Sequence, residues 1–130
     1  MAQKQKFEGF DPEPRTWDFP MIINGWVHKL SGSEFKVLWY ILRHTYGWQK
    51  DSDAISYTQF KYGILKKDKK WLDRGTGLSY PAIKKAIDGL KEKGFLEVIK
   101  GRNEKGKQST NRYSPRLKKV KSEKSQTKQS

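Results

Sequence analysis

Apolar residues recur at spacings of three and four through the stretch Leu78–Gly94. Ile83, Ala86, Ile87 and Leu90 form one stripe, and Pro81, Lys84, Lys85 and Asp88 fall on the other side with Tyr80 at the margin. Ser79 offers a capping hydroxyl, and Pro81 sits in the first turn, where no backbone donor is missed. Gly94 is the residue type that closes helices in a left-handed turn. The pattern predicts a helix of about 15 residues, roughly 22 Å long at 1.5 Å per residue. Such a rod can seat one face in a core while the other lies in a DNA major groove. The same residues also fit an amphipathic surface helix with solvated lysines.

Upstream, residues 1–15 are polar and contain Gly9, Pro12 and Pro14, which reads as a flexible arm. Phe7 and Phe10 are its exceptions, docking either on the domain or on a second copy. Trp17–Val27 is expected to hold a short helix capped by Asp18, with Ile22 and Trp26 on one side beside Ile23 or Leu30. Ser31 and Glu34 form a capping box, and Phe35, Leu38, Trp39, Ile41, Leu42 and Tyr46 then predict a buried helix ended by Gly47. His44, near its C-terminus, is expected to be a cap or a solvated side chain; neither it nor His28 reads as a catalytic group or a metal ligand. Ala54–Ser56 is a minimal strand. Ser56-Tyr57-Thr58-Gln59 repeats the capping pattern, so a short helix from Tyr57 ends at Gly63 with Phe60 inward.

Ile64–Gly77 breaks this scheme, because a helix-turn-helix joins its helices by a turn of about three or four residues. This stretch is a long, lysine-rich loop anchored by Trp71 and Leu72. After the Leu78–Gly94 helix, Phe95–Lys100 reads as a strand, Gly101–Lys107 as a turn, and Thr110–Ser114 as a returning strand stopped by Pro115. The expected fold is mainly α with a small β-wing: a winged helix-turn-helix with an extended loop between helices 2 and 3. Residues 1–15 form the arm, 16–115 the DNA-binding domain, and 116–130 a basic tail expected to be disordered.

Composition sharpens the picture. Aromatics reach 13% although apolar residues total only 34%, which suggests a compact core between polar ends. Trp26, Trp39 and Trp48 are expected in that core and Trp71 as a loop anchor, not as single-strand stacking platforms. The net charge of +14 calls for a polyanion, and its excess lies from Lys61 onward, which argues for a binding face. The absence of cysteine fits a reducing cytoplasm. No apolar run approaches the roughly 20 residues that span a bilayer, so no membrane partner is expected. There is no phosphate-cradling glycine loop with its lysine and hydroxyl, no histidine cluster and no cysteine nucleophile. Gly75-Thr76-Gly77 lacks the context of a phosphate-binding fingerprint and reads as a turn. No enzyme, catalytic residue, cofactor or metal is expected.

Four blocks carry a resemblance: Leu30–Leu38, Thr45–Lys50, Ile55–Phe60, and Gly75–Ser79 running into the helix and on to Gly94-Phe95-Leu96. Together they resemble the N-terminal winged-helix domain of bacteriophage replication protein O and related phage and mobile-element replication proteins. The resemblance covers about Phe10 to Tyr113. It implies a replication initiator that binds double-stranded DNA repeats at an origin, as a homodimer, and helps to recruit a replicative helicase or its loader. It also implies a nucleoid-associated place in a bacterial cell.

The candidate recognition-helix residues are Ser79, Tyr80, Pro81, Lys84 and Lys85. Lys84 and Lys85 can donate to guanine O6 or N7, Pro81 can touch a thymine methyl, and Tyr80 can stack on sugar or bond phosphate. Asp88 either accepts from a cytosine amine or is a solvated carboxylate that repels phosphate. Ser79 caps the helix beside amides that can face a phosphate. Arg102, Asn103, Lys105, Lys107 and Arg112 are the wing candidates, or else a solvated hairpin. Lys66, Lys67, Lys69 and Lys70 in the long loop serve phosphate contact or solubility. Two other functions fit the chain: a winged-helix transcriptional regulator, and a basic adaptor or RNA-binding module.

Overall fold

The computed structural model describes residues 6–102 and 108–118. Three α-helices pack with a small antiparallel sheet, a mixed α/β arrangement. Helix α1 (Gly32–Thr45) opens on the capping box, with the Ser31 amide donating to Glu34 Oε1 at 2.9 Å and the Glu34 amide to Ser31 Oγ at 3.1 Å. It is the central element, because Val37, Leu38, Tyr40, Ile41 and Leu42 are all buried. Helix α2 (Tyr57–Tyr62) starts on the Ser56 side chain, and Phe60 is its buried residue. Helix α3 (Tyr80–Glu92) is capped by Ser79, whose Oγ accepts from the Ala82 amide at 3.3 Å.

The α3 stripe of Ile83, Ala86, Ile87 and Leu90 is buried in the shared core with α1. Each fully buried aliphatic side chain there contributes about 1.5–3 kcal/mol relative to exposure. Strand β1 (Asp53–Ala54) is shorter and earlier than the expected Ala54–Ser56. It pairs with β5 (Gln108–Pro115), which pairs in turn with β4 (Leu96–Arg102), giving the order β1-β5-β4. Tyr40, Phe60 and Tyr113 join the layers, with ring centroids 5.6 Å and 5.3 Å apart in succession.

The Ile64–Gly77 stretch is not an irregular loop. Strands β2 (Ile64–Leu65) and β3 (Trp71–Asp73) pair antiparallel, and the tip Lys66–Lys70 closes with the Lys66 amide donating to the Lys70 carbonyl at 2.9 Å. The base of this hairpin is strapped to α2: Thr76 N donates to Phe60 O at 2.6 Å and Gly77 N to Lys61 O at 3.1 Å. The approach requires glycine at Gly75, where φ is +74° and an added Cβ would lie 2.6 Å from the Gly63 nitrogen.

Three further expectations fail. Trp17–Val27 forms two 3-10 turns, Met21–Gly25 and Val27–Lys29, with Pro20 and not Asp18 at the start and a turn around Gly25 and Trp26 that interrupts α periodicity. Ile23 is buried there, while Ile22 and Trp26 are exposed. The indoles of Trp26, Trp39 and Trp48 are not core either. They lie across the surface, Trp26 against Phe95, Trp39 against Trp17, and Trp48 under the Arg43 guanidinium that also covers Trp17. Finally, His44 is neither solvated nor a cap. It is buried, with Nε2 3.0 Å from Asp73 Oδ2 and Nδ1 3.8 Å from Asp53 Oδ2.

Candidate nucleic-acid interface

The outer face of α3 is laid bare by the same register that buries its stripe. Ser79, Tyr80, Pro81, Lys84, Lys85 and Asp88 are all exposed, so the predicted recognition-helix residues share one open surface. Lys84 Nζ donates to Asp88 Oδ2 at 2.9 Å, one helical turn on. That bond holds the Lys84 ammonium above its ordinary pKa and keeps it charged. Lys85 makes no ion pair among the described residues.

A groove runs between α3 and the β4–β5 hairpin. Lys84, Asp88 and Lys91 form its helix side, Lys100 and Asn111 its sheet side, and Ile87, Val98 and Tyr113 also line it. The Asn111 side chain accepts from the Gly101 amide at 3.2 Å where the β4–β5 register shifts, so it is held at that wall. Sequence reasoning missed Lys91, Lys100 and Asn111. Lys91 was within reach, two turns beyond Lys84 on the same face; the strand residues were not, because the bulge decides which way they point.

The wing candidates divide. Arg102 ends β4 opposite Gln108. Asn103, Lys105 and Lys107 lie outside the described residues. Arg112 is turned away from the groove that its neighbours Asn111 and Tyr113 line, as strand alternation requires. Its guanidinium donates to Ser52 Oγ at 3.1 Å and to the Ser52 carbonyl at 3.3 Å, tying β5 to the turn before β1.

Lys66, Lys67, Lys69 and Lys70 are exposed at the β2–β3 tip, with Lys66 3.9 Å from Asp68. The strap onto α2 carries the hairpin into the Thr76–Ser79 connection and so to the start of α3. Lys61, which the sequence reading did not single out, lies with Nζ 4.9 Å from the Tyr80 ring centroid. Among the described residues, no group of three or more His, Cys, Asp or Glu is placed to hold a metal ion. Among the same residues, no helix is long and apolar enough to cross a membrane. Comparison with protein-family models, curated proteins and solved structures finds no match to the chain.

Proposed function

We propose that the chain is a sequence-specific double-stranded DNA-binding protein of winged-helix architecture. The observation that carries this reading is the uncovered Lys84–Lys85 face of α3, from which Lys84 lines a groove with Lys100 and Asn111 of the β4–β5 hairpin. In it, α3 enters a major groove about 12 Å wide. Lys84 and Lys85 reach base edges, Tyr80 and Pro81 approach sugar and methyl groups, and the Ser79-capped end faces a phosphate. Lys91, Lys100 and the lysines of the β2–β3 tip neutralise backbone phosphates, which adds affinity without sequence information.

Within that class, the reading favoured is a phage or mobile-element replication initiator. It binds origin repeats as a homodimer and engages a helicase or its loader at the bacterial nucleoid. The four sequence blocks from Leu30 to Leu96 support this step. A footprint of the purified chain across its own genome segment tests it. Protected repeats beside a replication origin are the expected result. Protection confined to a promoter makes the protein a transcriptional regulator, and uniform, salt-labile coating makes it a basic adaptor.

A further inference from the structure

The segment from the end of α2 to the start of α3 carries a second surface, which duplex reading shares only at Tyr80 and the β2–β3 tip lysines. Three aromatic rings stand in solvent there: Tyr62 is 51% exposed, Trp71 41% and Tyr80 41%. Each has a cation over a face. Lys61 Nζ lies 5.3 Å from the Tyr62 centroid and 4.9 Å from that of Tyr80, and the Arg74 guanidinium lies 4.2 Å from that of Trp71. The hydrogen bonds from Thr76 and Gly77 to Phe60 and Lys61 lock the hairpin that carries Trp71 and Arg74 onto α2, which carries Lys61 and Tyr62. The neighbouring carboxylate, Asp73, is turned inward, where Tyr40, His44 and Gly75 bond it, so it does not oppose a polyanion at the surface.

Arg43 over Trp17 and Trp48 shows that such pairs also serve surface packing; this group differs in lying on the segment that carries the four exposed tip lysines. Alternating π-faces and cations are what a strand with unpaired bases requires: rings to stack on and charge to follow the phosphates. A closed duplex offers phosphates but hides its base faces, so it uses the lysines and leaves the Tyr62 and Trp71 rings idle.

We infer that the cation-covered aromatic surface of Lys61, Tyr62, Trp71, Arg74 and Tyr80 binds single-stranded nucleic acid by base stacking. The four lysines of the β2–β3 tip extend its phosphate track. This inference goes beyond duplex recognition by α3 and stands without it.

The test is fluorescence anisotropy with labelled strands of about 12 nucleotides: oligo-dT, oligo-rU, and an abasic strand with the same phosphates. The purified full chain should bind oligo-dT and lose about tenfold or more in affinity when the bases are removed. Trp71→Ala and Tyr62→Ala should each weaken oligo-dT binding by a similar factor, and Trp71→Phe and Tyr62→Phe should restore most of it. The Phe variants separate stacking from a folding defect. Equal binding of dT and rU strands assigns the site to unpaired bases of either kind; preference for one names the source. Lys84→Ala should weaken oligo-dT and abasic strands alike and leave the loss on base removal in place, so failure of the duplex reading does not touch this result. Equal affinity for abasic and oligo-dT strands overturns the inference. So do Phe variants as weak as the Ala ones, or no strand binding at all.

Discussion

Lys93 Nζ lies 2.6 Å from Glu34 Oε1, so the residue that ends α3 is clamped to the capping-box glutamate in the first turn of α1. Lys93 also donates to the Lys29 carbonyl at 3.0 Å. The close fit extends to Gly89, where an added Cβ would collide with Glu34 Oε2. One carboxylate therefore serves both a helix start and the angle at which the candidate recognition helix is held.

This clamp makes stability depend on acid. Burial raises the Glu34 pKa, but the bonds from Lys93 and from the Ser31 amide outweigh it and hold the carboxyl below its ordinary value. The folded state thus gains stability above the ordinary glutamate range, near 4.3. That gain is lost as pH falls from there through the lower folded value. Glu34→Gln keeps the cap acceptor and loses the charge. It should cost about 1 kcal/mol or less at neutral pH, because Lys93 is partly exposed. In urea unfolding across pH 3–7, the gap between wild type and variant should close at the acid end. A gap that stays constant would mean the charge contributes nothing.

The buried His44–Asp73 contact makes a second expectation. Asp73 is the acceptor for Tyr40 Oη at 2.9 Å and for the Gly75 amide at 2.9 Å, besides facing His44. Burial first, and the Asp73 charge with it, raise the Tyr40 pKa well above its ordinary value, so the phenol stays a donor. Asp73→Ala strands several polar groups and should cost about 2–4 kcal/mol, whereas Asp73→Asn should cost less. Denaturant melts measure both. Amide exchange in β3 should quicken in the Ala variant if the network pins the hairpin.

Asp88 restrains the proposed duplex contact. Its carboxylate holds Lys84 Nζ and adds negative charge to the face that would meet phosphate. Asp88→Ala should tighten binding to every duplex by a modest factor and steepen its salt dependence by about one charge. Lys84→Ala should instead cost about 1–3 kcal/mol, on the preferred sequence alone. Titrations on one preferred and one scrambled duplex at two salt concentrations separate the two effects.

The legible parts of this molecule are those with local causes. Ser31 with Glu34, Ser56 with Gln59, and Ser79 before Pro81 each name a helix start from adjacent residues, and the Ile83–Leu90 stripe orients α3 without knowledge of its partners. What stayed hidden depends on contacts far along the chain. His44 looked solvated because its acceptor, Asp73, lies on a later element. The β2–β3 hairpin was masked because its two short strands flank a lysine run that periodicity reads as loop. The tryptophans misled for another reason. An indole on an apolar stripe is as well placed lying over a small domain as inside it, and only the packing of Arg43 and Phe95 settles which.

The most direct test of the duplex proposal is selection of binding sites from a randomised duplex pool, followed by competition. Wild-type protein should recover one recurring sequence and hold it against a large excess of random duplex, with Lys84→Ala plus Lys85→Ala losing that preference while keeping salt-dependent attraction. A pool that returns unenriched, or a double variant that selects the same sequence as wild type, would contradict reading by α3.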